Sequence, residues 1–170
     1  RKKKKIKINK FNGNFVGRIA KENNPELFLK IVKNNLKNKL IRFHCFGDGP
    51  LKKKLIHKNI KYHGWCNSKT IYNKTDLIII TSKVNNYPYV ALEAKASGIP
   101  VISTSKGDIS KIIFNNSDGF LIKKFDLEII RKKILFIMKN YRQFSKNAKK
   151  NSKIFDENIS LKKIWKFVFK

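Results

Sequence analysis

The sequence predicts a doubly wound α/β domain, a parallel sheet covered by helices on both faces. Short apolar runs alternate with longer amphipathic stretches along the chain, the pattern of repeated strand–helix units. One run, Leu77–Ile80, is apolar at every position, as a central strand buried on both faces requires. Glycine or polar turns close most of the candidate strands, as at Gly17, Gly47 and Gly64.

Taken in order, Phe15-Val16 is a short strand that stops at Gly17-Arg18. Asn24-Pro25 opens a helix with proline at its first position, and Leu27, Phe28, Ile31, Val32 and Leu36 recur on one face. Leu40–Phe46 is the second strand, stopped by Gly47-Asp48-Gly49-Pro50, and a short basic helix follows through Leu51 and Leu55. Ile60–Gly64 is a third strand and Ser68–Asn73 a brief helix. After Leu77–Ile80, a polar loop from Thr81 to Tyr87 leads through Pro88 into a helix that passes Glu93 and closes at Gly98. Pro100–Thr104 is the next strand, Gly107-Asp108 starts a helix, and Gly119–Ile122 is the last strand. Helices at Leu127–Lys139, Gln143–Lys150 and Ile159–Phe169 finish the chain, the last with a stripe of Leu161, Ile164, Trp165 and Val168. These elements form one domain over residues 1–170, with 140–170 as its C-terminal helices.

Lysine and arginine number 40 against 11 acids, a formal net charge of +29, yet 41% of residues are hydrophobic, which excludes a disordered basic tail. No apolar run approaches the roughly 18 residues that span a bilayer, and the basic start Arg1–Lys5 has no apolar segment after it to make a secretory signal. Cys45 and Cys66 have neither CxxC spacing nor a zinc pattern, which fits a reducing, cytoplasmic setting. Lysine pairs occur in almost every segment, so the charge reads first as a solvated surface and second as attraction to an anionic membrane or substrate. The absence of any helix-turn-helix, zinc-finger or RNP-like spacing places specific nucleic acid last.

In a doubly wound sheet, ligands sit outside the carboxyl ends of the strands, so the loops 17–24, 47–50, 64–67, 81–88 and 103–108 are the ones to search. The stretch Thr81–Glu93 is the most informative. A polar loop ends in Pro88, and the helix behind it presents backbone N–H groups and a positive dipole end, an anion site. Glu93 lies between Leu92 and Ala94 in a mostly apolar helix, partly buried or aimed into the ligand crevice, where a carboxylate suits two vicinal ribose hydroxyls. The plain alternative is a surface glutamate on a helix flank.

Ser82–Val101, reading SKVNNYPYVALEAKASGIPV, resembles the donor-site signature of family-4 glycosyltransferases of GT-B fold, S-x-x-E-G-F-P-x-x-x-x-E-A-x-A-x-G-x-P-V. Five further segments match in order. Phe15–Ile19 is similar to V-G-R-L, Phe46–Pro50 to V-G-D-G-P, Ile60–Trp65 to V-x-F-L-G, Asp76-Leu77 to A-D-V, and Asp118–Ile122 to N-G-x-L-V. Gly107-Asp108 sits where the family has a Gly-Gly pair, and the resemblance covers residues 12–125.

The resemblance implies a Rossmann-like C-terminal half of a GT-B enzyme that binds a nucleoside-diphosphate sugar and transfers its sugar, with retention, to a glycan or lipid-linked acceptor. It implies no metal or other cofactor, which agrees with the absence of a D-x-D. Glu93 would hold the ribose. Ser82, Asn85, Asn86, Tyr87, Pro88, Tyr89 and Val90 would meet the diphosphate and sugar at the helix start. Arg18, beside Gly17, would offset charge on the leaving diphosphate. Tyr62, His63, Gly64 and Trp65 would border the base, and Gly47, Asp48 and Gly49 would let backbone approach the nucleotide.

Two departures stand out. Asn85 replaces the first glutamate of the family's Glu-x7-Glu pair, and Asn23 replaces the basic residue five positions after the arginine, for which Lys21 is the nearest substitute. A degenerate, non-catalytic nucleotide-sugar-binding module is therefore the competing reading, and a basic membrane- or nucleic-acid-binding domain a third. A GT-B enzyme also has an N-terminal Rossmann-like domain for the acceptor; the resemblance extends to the C-terminal domain alone, and the last helix is expected to cross toward the N-terminal one. Peripheral contact with the inner membrane face follows from the charge and a lipid-linked acceptor. Gly47-x-Gly49 lacks the third glycine and acidic partner of a dinucleotide fingerprint, and no P-loop exists. His44, His57 and His63 are scattered and read as structural, with His63 best placed for function; Cys45 reads as core filler.

Overall fold

The computed structural model describes residues 10–83, 88–104, 107–123 and 126–155. Six parallel strands, β1 (Phe11–Val16), β2 (Ile41–Phe46), β3 (Ile60–Tyr62), β4 (Leu77–Ile80), β5 (Val101–Thr104) and β6 (Gly119–Ile122), form one sheet in the order β3-β2-β1-β4-β5-β6. Between and after them lie α1 (Pro25–Asn34), α2 (Ser68–Asn73), α3 (Tyr89–Ala96), α4 (Ile109–Ile112), α5 (Leu127–Lys139) and α6 (Tyr141–Ser152). The expected single doubly wound α/β domain is what the chain forms. The strand order reverses between β1 and β4, the switch point at which such sheets open a crevice.

The apolar run of β4 divides between the two faces. Leu77 and Ile79 join the core under α1 and α5, with Phe28, Ile31, Ile130 and Ile134. Ile78 joins the core under α3 and α4, with Ala91, Ala94, Ile109 and Ile112. The alternation of the pleat thus gives each helical layer its own half of the strand.

Strand β1 begins four residues before the sequence suggests. Asn12, Gly13 and Asn14 hide it, because their polarity belongs to a buried ladder. The backbone N–H of Asn12 donates to Asp76 at 2.8 Å, and the buried Asn14 amide donates to the Lys74 carbonyl at 2.9 Å and to Thr75 Oγ1 at 2.6 Å. At the other end of the helix, α1 stops at Asn34, so Leu36 leaves the apolar stripe and is 44% exposed. The helices α2 and α5 begin where their caps predict. Asn67 Oδ1 accepts from Thr70 N at 2.8 Å, and Asp126 Oδ1 accepts from Glu128 N and Ile129 N at 2.8 and 3.1 Å. The helix expected at Ile159–Phe169, with Trp165, and the basic start Arg1–Lys5 lie outside the described residues.

Cys45 is fully buried, and burial pushes its thiol pKa up to about 12, so it is an inert core residue. Both cysteines are free. No helix among the described residues is long and apolar enough to cross a membrane.

Candidate functional site

At the switch point, a crevice of about 240 Å³ opens between the carboxyl ends of β1 and β4. Phe15, Val16 and Gly17 form one wall, Ile80, Thr81 and Ser82 the other, and Pro88 and Val90 from the start of α3 close one end. That volume is below the roughly 300 Å³ of the smallest whole-ligand pockets.

The loops around this crevice are fastened to one another. Gly17 N donates to Phe46 O at 2.9 Å, Gly47 N to Gly64 O at 2.7 Å, and Ile19 N to Asp48 O at 2.8 Å. Gly47 has φ 127°, and a Cβ there would collide with the carbonyl of Gly17; at Gly49, φ 157°, it would lie 2.5 Å from the carbonyl of Ile19. The glycines expected to admit a nucleotide therefore have a requirement of their own: the β1 and β2 loops touch backbone to backbone. Asp48 accepts from Gly49 N at 2.7 Å, and this bond holds its carboxyl below the usual range.

Asn23, where the family has a basic residue, is a clamp. Its Nδ2 donates to Arg18 O at 2.7 Å, its Oδ1 accepts from Ser82 Oγ at 2.9 Å, and its backbone carbonyl accepts from Thr81 Oγ1 at 2.7 Å. Thr104 Oγ1 donates to Ser82 O at 2.6 Å from the far side. One asparagine thus pins the β1 loop to the end of β4, and a lysine there would break this arrangement. Arg18 is exposed on the β1 loop, next to crevice-lining Gly17. Lys21 is exposed too, but it lines a separate depression with Asn24, Leu51, Lys54 and Lys83.

Glu93 lies on α3 beyond Val90. It is exposed and does not line the crevice; it stands on the flank that α3 turns toward α2. There the hydroxyl of Tyr72 donates to Glu93 Oε2 at 2.6 Å. Burial, and then the bond to Glu93, push the Tyr72 phenol above its ordinary pKa, so the hydroxyl stays protonated and keeps donating. With Oε2 engaged by Tyr72, Oε1 is the carboxylate oxygen not used in this bond. Sequence reasoning missed both Tyr72 and the clamp role of Asn23. Each acts on a partner 21 or more residues away, at Glu93 and at Thr81-Ser82, and no local pattern marks such pairs.

On the far side of β1, Trp65 is 76% exposed just after β3, with Tyr62 and His63 behind it. Lys52 Nζ lies 4.5 Å from the centre of the Tyr62 ring. His63 stacks on Phe46 with centroids 4.4 Å apart and shares a hydrogen bond of 2.8 Å with His44. Burial first, then the charges of His63, Lys61, Arg42 and Lys74, lower the His44 pKa to about 4, so this pair is uncharged near neutrality. Among the described residues no cluster of histidine, cysteine or carboxylate side chains could hold a metal. Asn85, Asn86 and Tyr87 lie outside the described residues.

Beneath α3, on the side away from Glu93, Lys95 and Asp118 form a fully buried ion pair at 2.9 Å. Lys95 also donates to the Ile112 carbonyl, while Asp118 accepts from Phe114 N and from Asn151 Nδ2, each at 2.9 Å. This network fixes α3 to α4, the start of β6 and α6.

Comparison with known proteins agrees with this architecture. The family model described as glycosyl transferases group 1 matches residues 1–154. The chain is 29% identical over 136 residues, 72% of its length, to a UDP-Gal:alpha-D-GlcNAc-diphosphoundecaprenol alpha-1,3-galactosyltransferase of Escherichia coli, of which it covers 35%. It is 30% identical over 155 residues, 84% of its length, to a Campylobacter jejuni alpha-1,4-N-acetyl-D-galactosaminyltransferase acting on a diphosphoundecaprenol-linked saccharide, of which it covers 43%. The chain spans about two fifths of the length of the curated relatives it matches. The C-terminal domain of LpcC, a group 1 glycosyl transferase family protein from Francisella tularensis, superposes with a TM-score of 0.71 at 21% identity, covering 85% of each chain. The switch-point crevice, the α3 start beside it and the match over residues 1–154 agree: the chain belongs to the group 1, or family-4, glycosyltransferases and corresponds to the C-terminal half of their GT-B fold.

Proposed function

We propose that this domain binds the nucleoside diphosphate of a sugar donor and serves as the donor half of a retaining transferase whose acceptor is a lipid-linked saccharide. The observation that carries the reading is the crevice between β1 and β4 with the first turn of α3 at its end. An N-terminal helix turn favours negative charge, so the diphosphate lies against Pro88–Val90, with Arg18 on the facing loop as a fixed cation. The ribose then reaches Glu93, whose Oε1 is not used by the Tyr72 bond. The base lies toward Trp65 and His63.

In this reading the chain's residues promote departure of the leaving group. As the bond from the anomeric carbon to the diphosphate breaks, charge collects on the diphosphate, and Arg18 and the α3 dipole stabilise it. No protein base is needed on this domain, and neither a metal nor another cofactor takes part. The lipid-linked acceptor follows the two relatives named above, both of which act on diphosphoundecaprenol-linked saccharides. An N-terminal Rossmann-like domain would hold that acceptor.

Calorimetric titration with UDP tests the reading. Glu93→Ala should weaken binding by about 2 kcal/mol, roughly thirtyfold, as for loss of a charged hydrogen-bond partner. Binding that is unchanged in this variant refutes the ribose assignment, and EDTA should leave the affinity of the parent chain as it is.

The Asn23 clamp favours a second reading, a nucleotide-sugar-binding module without turnover, because the amide that replaces the family's cation is consumed in holding loops together. Supplying an N-terminal domain and restoring Asn85→Glu separates the two. Transfer to a lipid-linked acceptor supports the enzyme, and binding without transfer supports the module.

A further inference from the structure

The positive charge of this chain is not spread evenly in space. Between Pro25 and Thr75, the segment that supplies α1, β2, β3 and α2, twelve lysines and arginines stand against two acids, Glu26 and Asp48. Between Asp76 and Lys123, which supplies β4 to β6, α3 and α4, the count is five against four, while the segment 124–155 that supplies α5 and α6 is basic again at ten against two.

A depression of about 580 Å³ lies in the basic β2–β3 region, where these strands begin, at the opposite end of the sheet from the switch-point crevice. Lys39, Arg42, Lys58 and Lys61 line it. All four are exposed, and none has an ion-pair partner among the described residues. At its margin the chain leaves α1 and exposes apolar side chains, Leu36 at 44% and Leu40 at 52%. Uncompensated cations around a groove, with leucines beside them, are the two components of interfacial membrane binding: attraction to anionic headgroups and burial of a small apolar area.

We infer that the margin formed by the starts of β2 and β3 docks on an anionic phospholipid bilayer, with Lys39, Arg42, Lys58 and Lys61 meeting lipid phosphates and Leu36 and Leu40 entering the interface. The occupant is a lipid surface rather than nucleic acid because the exposed side chains beside the cations are aliphatic, whereas single-strand grooves pair their cations with aromatic platforms and duplex readers place a helix or β-ribbon in the DNA groove. This inference is independent of the donor reading, since the groove and the crevice share no residue. It gives the domain a means to stay beside a membrane-resident acceptor.

Co-sedimentation of the 170-residue chain with vesicles tests it, using phosphatidylcholine mixed with phosphatidylglycerol and phosphatidylcholine alone. The parent chain should pellet with the mixed vesicles and not with the neutral ones. The Lys39→Gln, Arg42→Gln, Lys58→Gln, Lys61→Gln variant should lose at least roughly tenfold in affinity. An equal change of charge on the helical side, Lys132→Gln, Lys139→Gln, Lys146→Gln, Lys149→Gln, should have little effect. Leu36→Ser with Leu40→Ser should weaken the binding that survives raised salt, where charge attraction is screened. Equal losses in the two four-site variants would reduce the effect to bulk charge and overturn the inference. So would unchanged binding of the groove variant, or a duplex oligonucleotide that holds the groove more tightly than the mixed vesicles do.

Discussion

Breaking the Lys95–Asp118 pair is the perturbation whose size the structure specifies best. Both side chains are 0% exposed, and their charged atoms are 2.9 Å apart. Asp118→Ala leaves a buried ammonium whose remaining contacts are the Ile112 carbonyl and the rings of Phe114 and Phe155, at 4.6 and 5.2 Å. It also strips the acceptor from Phe114 N and Asn151. Removing one partner of a buried pair costs about 3–5 kcal/mol, and a domain of this size loses about 2–4 °C in Tm per kcal/mol, so Tm should fall by about 6–20 °C. Burial already lowers the Lys95 pKa while Asp118 opposes it, so the variant lysine should shed its proton more readily. Replacing both partners, Lys95→Met with Asp118→Asn, removes the stranded charge and keeps an acceptor for Phe114 N; that double variant should lie within about 1 kcal/mol of the parent. Urea unfolding followed by circular dichroism gives all three values and checks m for two-state behaviour. A single variant that costs less than about 1 kcal/mol, or a double variant that costs the sum of the singles, would rule out a stranded charge as the source of the loss.

Other outcomes follow from the loops and the site. Tyr72→Phe should weaken UDP binding about two- to fivefold, a modest loss because Glu93 is exposed, and should affect 2′-deoxy-UDP less; equal losses for the two ligands would deny Tyr72 a part in ribose recognition. Gly17 and Gly47 have nearly the same φ, 133° and 127°, yet only at Gly47 does a Cβ meet backbone. Gly17→Ala should therefore cost about 1–2 kcal/mol of backbone strain and Gly47→Ala more, by thermal denaturation; equal costs would remove the loop contact as the cause. His44 has a folded pKa of about 4, below that of the unfolded chain at about 6.5, so the unfolded state binds more protons between these values. Stability should be retained above pH 6.5 and fall as pH drops toward 4, and His44→Gln should flatten that slope; parallel pH profiles would contradict it.

Much of the fold was readable from local chemistry. Pro25 and the caps Asn67 and Asp126 mark helix starts that hold in the structure, and the apolar run of β4 identifies the centre of the sheet. The beginning of β1 was not readable, because Asn12 and Asn14 satisfy buried hydrogen bonds whose partners lie 60 or more residues away. Leu36 fits helical spacing but falls two residues past the end of α1, where periodicity alone has no stop signal. At the site, motif spacing singled out the start of α3, which borders the crevice, and Glu93, which the structure places on the exposed flank of α3 outside the crevice lining. It was silent about Tyr72, which aims the carboxylate, and about Asn23, whose side chain is a tie between loops instead of a weakened cation. The buried Lys95 was equally hidden: a lysine in a basic sequence reads as surface until its partner 23 residues on is placed beside it.

A crystal structure of this chain with UDP would locate the nucleotide outright. The diphosphate should lie against Pro88–Val90, with a ribose hydroxyl within hydrogen-bond distance of Glu93 and the base toward Trp65. Density for the nucleotide in the basic groove at Lys39 and Arg42, with the β1–β4 crevice empty, would contradict it.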